Sequence, residues 1–390
     1  MSESTCYQGR LPDGRCVSLE VAGNRIAAVT PLAEQTGLPY VLPVLVDLQQ
    51  NGAFGIYYHQ IAERGPDKLQ EVADLLRRHG VGRVQLTVPT YELTKTTVNY
   101  RLLDQILTGN ADLAALYFGF FHEGNFMSPQ DGWRGAHMKC WIEPPNYDRF
   151  RALDEASGGR IRTVNVAPEE PGGLDFVAQA AAAGKLVGMG HCCPDADTVA
   201  EAVARGARWV THFGNGAAPQ IHRFRNPFWS FMAHPELMLS VICDGFHLPP
   251  DVVKTAMACR ELGGCIPVSD ASPYSGSAPG HYDEHGGGHP FDIEPNGFIH
   301  LTDSELLHGA WFQQDRCVEW LVQNLGLSLP AAWERCSAHP AAVAGLELPR
   351  PEAGQEASFV LAHWDEGLVI DQAVHLGTPY LTEPGRPTDC

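Results

Sequence analysis

KLVGMGHCCPDADTVAEAVARGARWVTHFGNG, residues Lys185 to Gly216, decides the fold. Lys185–Gly190 is a short apolar run that ends at His191. Asp195–Gly206 sets Val199, Ala202 and Val203 at helical spacing behind an Asp-rich start suited to capping a helix. Trp209–Thr211 reads as a second short strand, ending at His212. Two histidines thus stand where a strand gives way to a loop, one βα unit apart. In a parallel α/β barrel consecutive strand ends are neighbours on one rim, and that rim carries the chemistry. Two imidazoles so placed could share one metal ion. The plainer alternative is two unrelated histidines at loop starts.

The same alternation runs outward in both directions. PVLVDLQQNG (from Pro43), GRVQLTVPT, LAALYFGFFHEG and RIRTVNVAPE read as strands before the two histidine strands, and LMLSVICDGFH and CIPVSDAS read as strands after them. DKLQEVADLLRRHG, VNYRLLDQILTG, LDFVAQAAAAG and PPDVVKTAMACREL read as helices between. Eight strands alternating with helices predict an α/β protein with a (β/α)8 TIM-like barrel. Helices are also expected at Asp315–Gly326 and near Ala331–His339. At the chain ends, CVSLEVAG and RIAAVTPL, joined by a turn at Gly23–Asn24, and ASFVLAHW and LVIDQAVHLG read as strands. The simplest architecture is a small β-sandwich domain built from residues 1–40 and 345–390, around a barrel of residues 41–344.

The 390 residues suffice for one large barrel and a small accessory domain. With 44% hydrophobic and 19% charged residues the chain reads as globular. A formal charge of −19 argues against nucleic acid or an anionic membrane as partner. The eleven cysteines show no CxxC pair. No basic start followed by an apolar run and no stretch of transmembrane length is present, so a reducing, cytoplasmic setting is expected.

The polar residues at strand ends are Gln49, Asn51, Glu123, His191, His212, His247 and Asp270. Glu123, His191 and His212 supply three N/O ligands, a set suited to Zn²⁺ or Fe²⁺ with a position left for water. Asp270, after the last barrel strand, could take a proton from that water and return it to a leaving amine; alone it would read as a loop or capping carboxylate. His281, His285 and His289 in GHYDEHGGGHP read as part of a lid or turn in preference to a second metal site. His59 and His122 read as facing away from the site or packing, and Cys192 and Cys193 as packing cysteines. The Phe228–Phe231 cluster reads as core or subunit contact.

In order along the chain, Asp47-Leu-Gln49-Gln-Asn51-Gly52, Glu123-Gly-Asn-Phe126, Gly135-Ala136-His137, Gly190-His191, Thr211-His212-Phe-Gly-Asn215, Asp244-Gly-Phe-His247 and Ser269-Asp270-Ala271 resemble the amidohydrolase superfamily. Within it they resemble the N-acetylglucosamine-6-phosphate deacetylases. The resemblance implies a single divalent ion, zinc ahead of iron, on Glu123, His191 and His212. It implies Asp270 and His137 as catalytic residues, His137 on the acetamide carbonyl, and Asn215, Gly216, Arg223 and His247 as substrate contacts. It implies a homodimer in which Arg223 reaches a phosphate in the neighbouring subunit's site. The implied reaction is hydrolysis of the acetamide of an N-acetylated amino sugar carrying a 6-phosphate, giving acetate and the amino sugar. Departures fall at substrate-contacting segments: Asn125 stands in place of proline, the Glu123–His137 interval is two residues longer, and Arg223 has altered flanks. These keep two alternatives open: an amidohydrolase for another N-acyl or cyclic amide, and a catalytically inactive sugar-binding barrel.

Overall fold

The computed structural model describes residues 4–261, 263–283, 289–304 and 306–381. The chain begins with β1 (Ser4–Arg10), β2 (Cys16–Ala22), β3 (Arg25–Pro31) and β4 (Tyr40–Leu42). Eight parallel strands follow: β5 (Leu45–Gln50), β6 (Val81–Val88), β7 (Tyr117–His122), β8 (Ile161–Val166), β9 (Leu186–Met189), β10 (Ala207–Val210), β11 (Met238–Ile242) and β12 (Cys265–Val268). Their side chains are buried on both faces, as covered parallel strands require. Val46, Leu48, Trp209, Ile242, Ile266 and Val268 fill the interior.

Helices cover the outside. Lys68–Arg78 turns Leu69, Val72, Ala73 and Leu76 inward, a 3.6-residue stripe, and its last turn carries Arg77 and Arg78, which suit the negative helix end. Ala196–Ala204 starts at Asp195, whose carboxylate accepts from the Thr198 N–H at 2.8 Å; such a cap is worth about 1 kcal/mol. The helix expected near Ala331–His339 is two short ones, Leu329–Arg335 and Ala338–Val343. Pro340 falls in the first turn of the second helix, where its missing N–H costs no helical hydrogen bond.

The barrel closes where β12 meets β5. The Asp270 N–H donates to the Gln49 carbonyl at 2.9 Å and the Asn51 N–H to the Ala271 carbonyl at 3.0 Å. Beneath this seam the buried Asp47 carboxylate accepts from Ser269 Oγ at 2.5 Å and from the Gln49 and Ser269 N–H groups, each at 3.2 Å. Burial still pushes the Asp47 carboxyl up to about 7.

After the barrel comes a three-stranded excursion, β13 (Gly280–Tyr282), β14 (Phe291–Ile293) and β15 (Ile299–Leu301). The chain then ends in β16 (Phe359–Asp365), β17 (Gly367–His375) and β18 (Thr378–Leu381). These last three join the first four in one seven-stranded sheet, order β18-β17-β16-β4-β1-β2-β3. Strand β1 has little apolar signal of its own; its pairing with β2 forms it. Tyr7 packs edge-on against Phe359 at 5.3 Å in a core separate from the barrel's. Arg77, 1% exposed, bonds Asp112 at 2.6 Å and the Tyr380 hydroxyl at 3.0 Å, tying this sheet to the barrel helices. Among the described residues no helix is long and apolar enough to cross a membrane.

Candidate active site

Each polar residue singled out at a strand end lies at the carboxyl rim of the barrel. Glu123 directly follows β7, while His191, His212 and Asp270 each stand two residues beyond β9, β10 and β12. These last three have positive φ angles of 50°, 33° and 46°. Left-handed backbone at a non-glycine residue costs about 1–3 kcal/mol and persists only where the surroundings enforce it. Here the turn swings each side chain off the strand line toward the barrel axis. Gly216, at φ 58°, must remain glycine, because a Cβ there would lie 2.5 Å from the His191 ring.

One ligand atom from each of Glu123, His191 and His212 lies within 4.8 Å of the other two, and all three residues are buried. His212 Nε2 is 3.0 Å and His191 Nε2 3.6 Å from Glu123 Oε1. His191 Nδ1 faces the Trp133 carbonyl at 3.0 Å, so its proton sits there and Nε2 presents a lone pair. That lone pair points at a carboxylate oxygen and, at 3.2 Å, at His137 Nε2. Acceptors converging in this way fit a divalent cation, and the two-nitrogen, one-oxygen donor set is one that zinc and iron accept. Burial works against the charge on Glu123, yet its histidine partners hold the carboxyl well below the usual range. Burial and the neighbouring His191 push His137 down to about 3, so its imidazole is neutral.

Asp270 is tied to this cluster by one side chain. Gln49 Nε2 donates to Glu123 Oε1 at 3.0 Å and to Asp270 Oδ1 at 3.1 Å, and Asn51 Nδ2 donates to the same Asp270 oxygen at 2.9 Å. Burial and the Glu123 charge raise the Asp270 carboxyl to about 7. A divalent cation in the cluster would lower it again. His247 shares a 2.7 Å bond with Asp244, and its buried Nε2 has no hydrogen-bond partner. Burial opposes charge on His247, but Asp244 outweighs it and raises the imidazole above its ordinary value.

A cavity of about 320 Å³ opens over these groups. His137, Asn215, Gly216 and His247 line it together with Glu123, His191 and Asp270. Arg223 does not: it lies in an exposed loop, with its guanidinium over the Phe224 ring. His59, read from the sequence as facing away or packing, is packed and also lines the cavity with Tyr57, Tyr91 and Trp141. The reading missed it because hairpin 52–57 carries it back over the rim, which periodicity does not reveal. Nothing in the spacing of Tyr57, Tyr91 and Trp141 marked them either. His122 is buried against Tyr100, its hydroxyl 3.0 Å from Nδ1. Cys192 is buried and Cys193 half-buried, and within the Phe228–Phe231 cluster Phe231 is buried while Trp229 is exposed. His281 is exposed and bonds Asp292, while His285 lies outside the described residues. A second cavity, about 350 Å³, sits at the opposite mouth of the barrel around Gln85, Arg162 and Lys185 and contains none of this chemistry.

No protein-family model matches the chain. It is 28% identical over 351 residues to a curated N-acetylglucosamine-6-phosphate deacetylase of Bos taurus, covering 87% of this chain and 81% of that protein. It is 25% identical to a curated N-acetylgalactosamine-6-phosphate deacetylase of Escherichia coli O157:H7, covering 91% and 92%. Among solved structures, N-acetyl-D-glucosamine-6-phosphate deacetylase from Mycobacterium smegmatis superposes with a TM-score of 0.81 at 22% identity, covering 94% of this chain and 96% of that one. The Thermotoga maritima N-acetylglucosamine-6-phosphate deacetylase gives 0.79 at 20%, covering 96% and 98%. The similarity therefore extends over nearly the whole chain, and the fold is that of these solved deacetylase structures.

Proposed function

We propose that this chain is a metal-dependent hydrolase that removes the acetyl group of an N-acetylated amino sugar phosphate, with N-acetylglucosamine 6-phosphate as first candidate. The observation that carries the reading is the buried Glu123–His191–His212 cluster with Asp270 bonded to it through Gln49. Chain-wide similarity to curated deacetylases supports it.

Glu123, His191 and His212 would hold one divalent ion, zinc by preference with iron as alternative; when bound, such an ion polarises an amide carbonyl and acidifies water. The residues do the rest. Asp270 accepts a proton from the attacking water as the new C–O bond forms. His137 donates a ring N–H to the carbonyl oxygen as negative charge develops on it. Asp270 then passes its proton to the amide nitrogen, the C–N bond breaks, and the amine leaves neutral while acetate remains. Without that transfer the leaving group would be an amide anion, which is far too basic to depart. Asn215, Gly216 and His247 receive the sugar on their side of the cavity. Arg223, outside its own chain's cavity, contributes by reaching the phosphate in a second copy, within a homodimer. The ten free cysteines among the described residues accord with a cytoplasmic setting.

The test is acetate release from N-acetylglucosamine 6-phosphate, with the unphosphorylated sugar in parallel and Asp270→Asn as control. Asparagine can still accept from Gln49 and Asn51, so the variant should fold and lose activity by about 10²–10⁴-fold, the usual weight of a general acid–base group. An Asn variant with near-normal rate would remove Asp270 from its role. Metal-loaded protein that releases acetate from neither sugar would end the amino-sugar reading and turn attention to other N-acyl amides.

A further inference from the structure

Asn125 stands two residues beyond Glu123, at a strained point of the backbone. Its φ is 71°, a value proline's ring cannot reach. Asn125 is 1% exposed, and its Nδ2 donates to the Tyr91 and Trp141 carbonyls, each at 2.7 Å. Its own N–H donates to Thr90 Oγ1 at 3.3 Å, and its carbonyl accepts from the Glu143 N–H at 2.8 Å. One buried amide thus pins the loop after β6 to the longer loop after β7, directly beside the metal-cluster residue Glu123.

What it pins is a wall of rings. Tyr91 meets Trp141 at 4.8 Å and His59 at 4.7 Å, and His59 meets Tyr57 at 5.0 Å. All four line the cavity. They follow the first three barrel strands, whereas Asn215, Gly216 and His247 follow the sixth and seventh, so the two groups face each other across the mouth. The scissile amide must lie between them, over Glu123 and Asp270. If the sugar lies on the Asn215–His247 side, the acyl group points at the rings. An acetyl group extends only one methyl beyond its carbonyl carbon. Gln60 and Pro89 line the cavity as well.

We propose that Tyr57, His59, Tyr91 and Trp141 form an acyl site that takes N-acyl groups larger than acetyl, flat aromatic ones included, with Asn125 as the residue that positions it. This rests on the deacylation reading above and names its acyl specificity. Edge and face contacts between rings add to plain burial and favour a flat acyl group in such a cup.

The experiment uses the metal-loaded full chain and glucosamine 6-phosphate carrying N-acetyl, N-butyryl or N-benzoyl groups. The expected kcat/KM for the butyryl and benzoyl compounds is within about tenfold of the acetyl value or above it. Trp141→Ala should lower the benzoyl-to-acetyl ratio about tenfold, chiefly through KM, and Trp141→Phe should restore most of it. Asn125→Gly keeps the left-handed backbone but loses both clamps, and should lower the same ratio. Acetyl turnover with a preference above about a hundredfold over both larger groups would overturn the acyl site and leave the deacetylase reading standing. A Trp141→Ala variant that loses all three substrates by one common factor would also overturn it, since the rings would then be holding the shared sugar. Turnover of none of the three, with metal bound, would take down the deacylation reading and this proposal together.

Discussion

Gln49 Nε2 donates to Asp270 Oδ1 at 3.1 Å, so a residue at the end of the first barrel strand holds the carboxylate that follows the last. The same nitrogen reaches Glu123 at 3.0 Å. A single amide therefore spaces two buried carboxylates whose charges oppose one another.

Replacing Gln49 by Leu should remove both charge-assisted hydrogen bonds with little change of volume. Each is worth about 1.5–3 kcal/mol where one partner is ionised. Turnover is expected to fall by about 10–100-fold, and the acid limb of the profile, set by the need for ionised Asp270, should move to higher pH, because the group loses a bond that favours its charge. The kcat/KM–pH profile checks both; an unmoved profile would place Gln49 in packing alone.

Removing metal with a chelator should abolish activity and lower thermal stability together. Where free metal exceeds its dissociation constant a thousandfold, binding adds about 4 kcal/mol to the folded state. Glu123, His191 and His212 are all buried, so the desolvated Glu123 charge loses its strongest counter-charge when the cation leaves. Calorimetry with and without metal reads the shift, and His212→Ala should both lose metal stoichiometry and flatten it.

Arg223→Ala should raise KM for the 6-phosphorylated sugar by about tenfold or more and leave the unphosphorylated sugar unaffected. The arginine is exposed and outside its own chain's cavity. An effect on the phosphosugar should therefore be accompanied by a dimer in sedimentation; a monomeric protein with a normal phosphosugar KM would exclude the clamp.

Acid should destabilise the end sheet through His375. The ring is 2% exposed at the end of β17, and burial together with the Arg77 and Arg83 charges pushes its pKa down to about 3. The folded ring stays neutral while the unfolded chain takes up a proton below about pH 6.5. Its contribution is thus complete above pH 6.5 and is lost as pH falls toward 3, on the order of a few kcal/mol across the window. Urea unfolding from pH 7 to 4 should show a shallower loss for His375→Leu than for the wild type.

Much of the barrel was legible because each βα unit carries its own signal. A short apolar run and a helical stripe of Leu69, Val72, Ala73 and Leu76 follow from burial on two faces or one, whatever the rest of the chain does. The rim residues were legible for the same reason: Glu123, His191, His212 and Asp270 are polar groups that interrupt apolar strands at the same place in successive units. Strand β1 was not, because a polar strand at the chain end exists only through its partner.

The amino-acid order by itself determined the strand–helix alternation and the positions of the four polar residues at strand ends. Only the tertiary structure decided that Gln49 bridges Glu123 to Asp270, that Asn125 sits at positive φ with Tyr91 and Trp141 in its grip, and that Arg223 points away from its own site. The physical reason is range. Periodicity and capping act over a few residues, whereas the bonds of Gln49 and Asn125 join positions 16 to 221 residues apart, and which groups meet is set by barrel closure and by loop paths that no local pattern encodes.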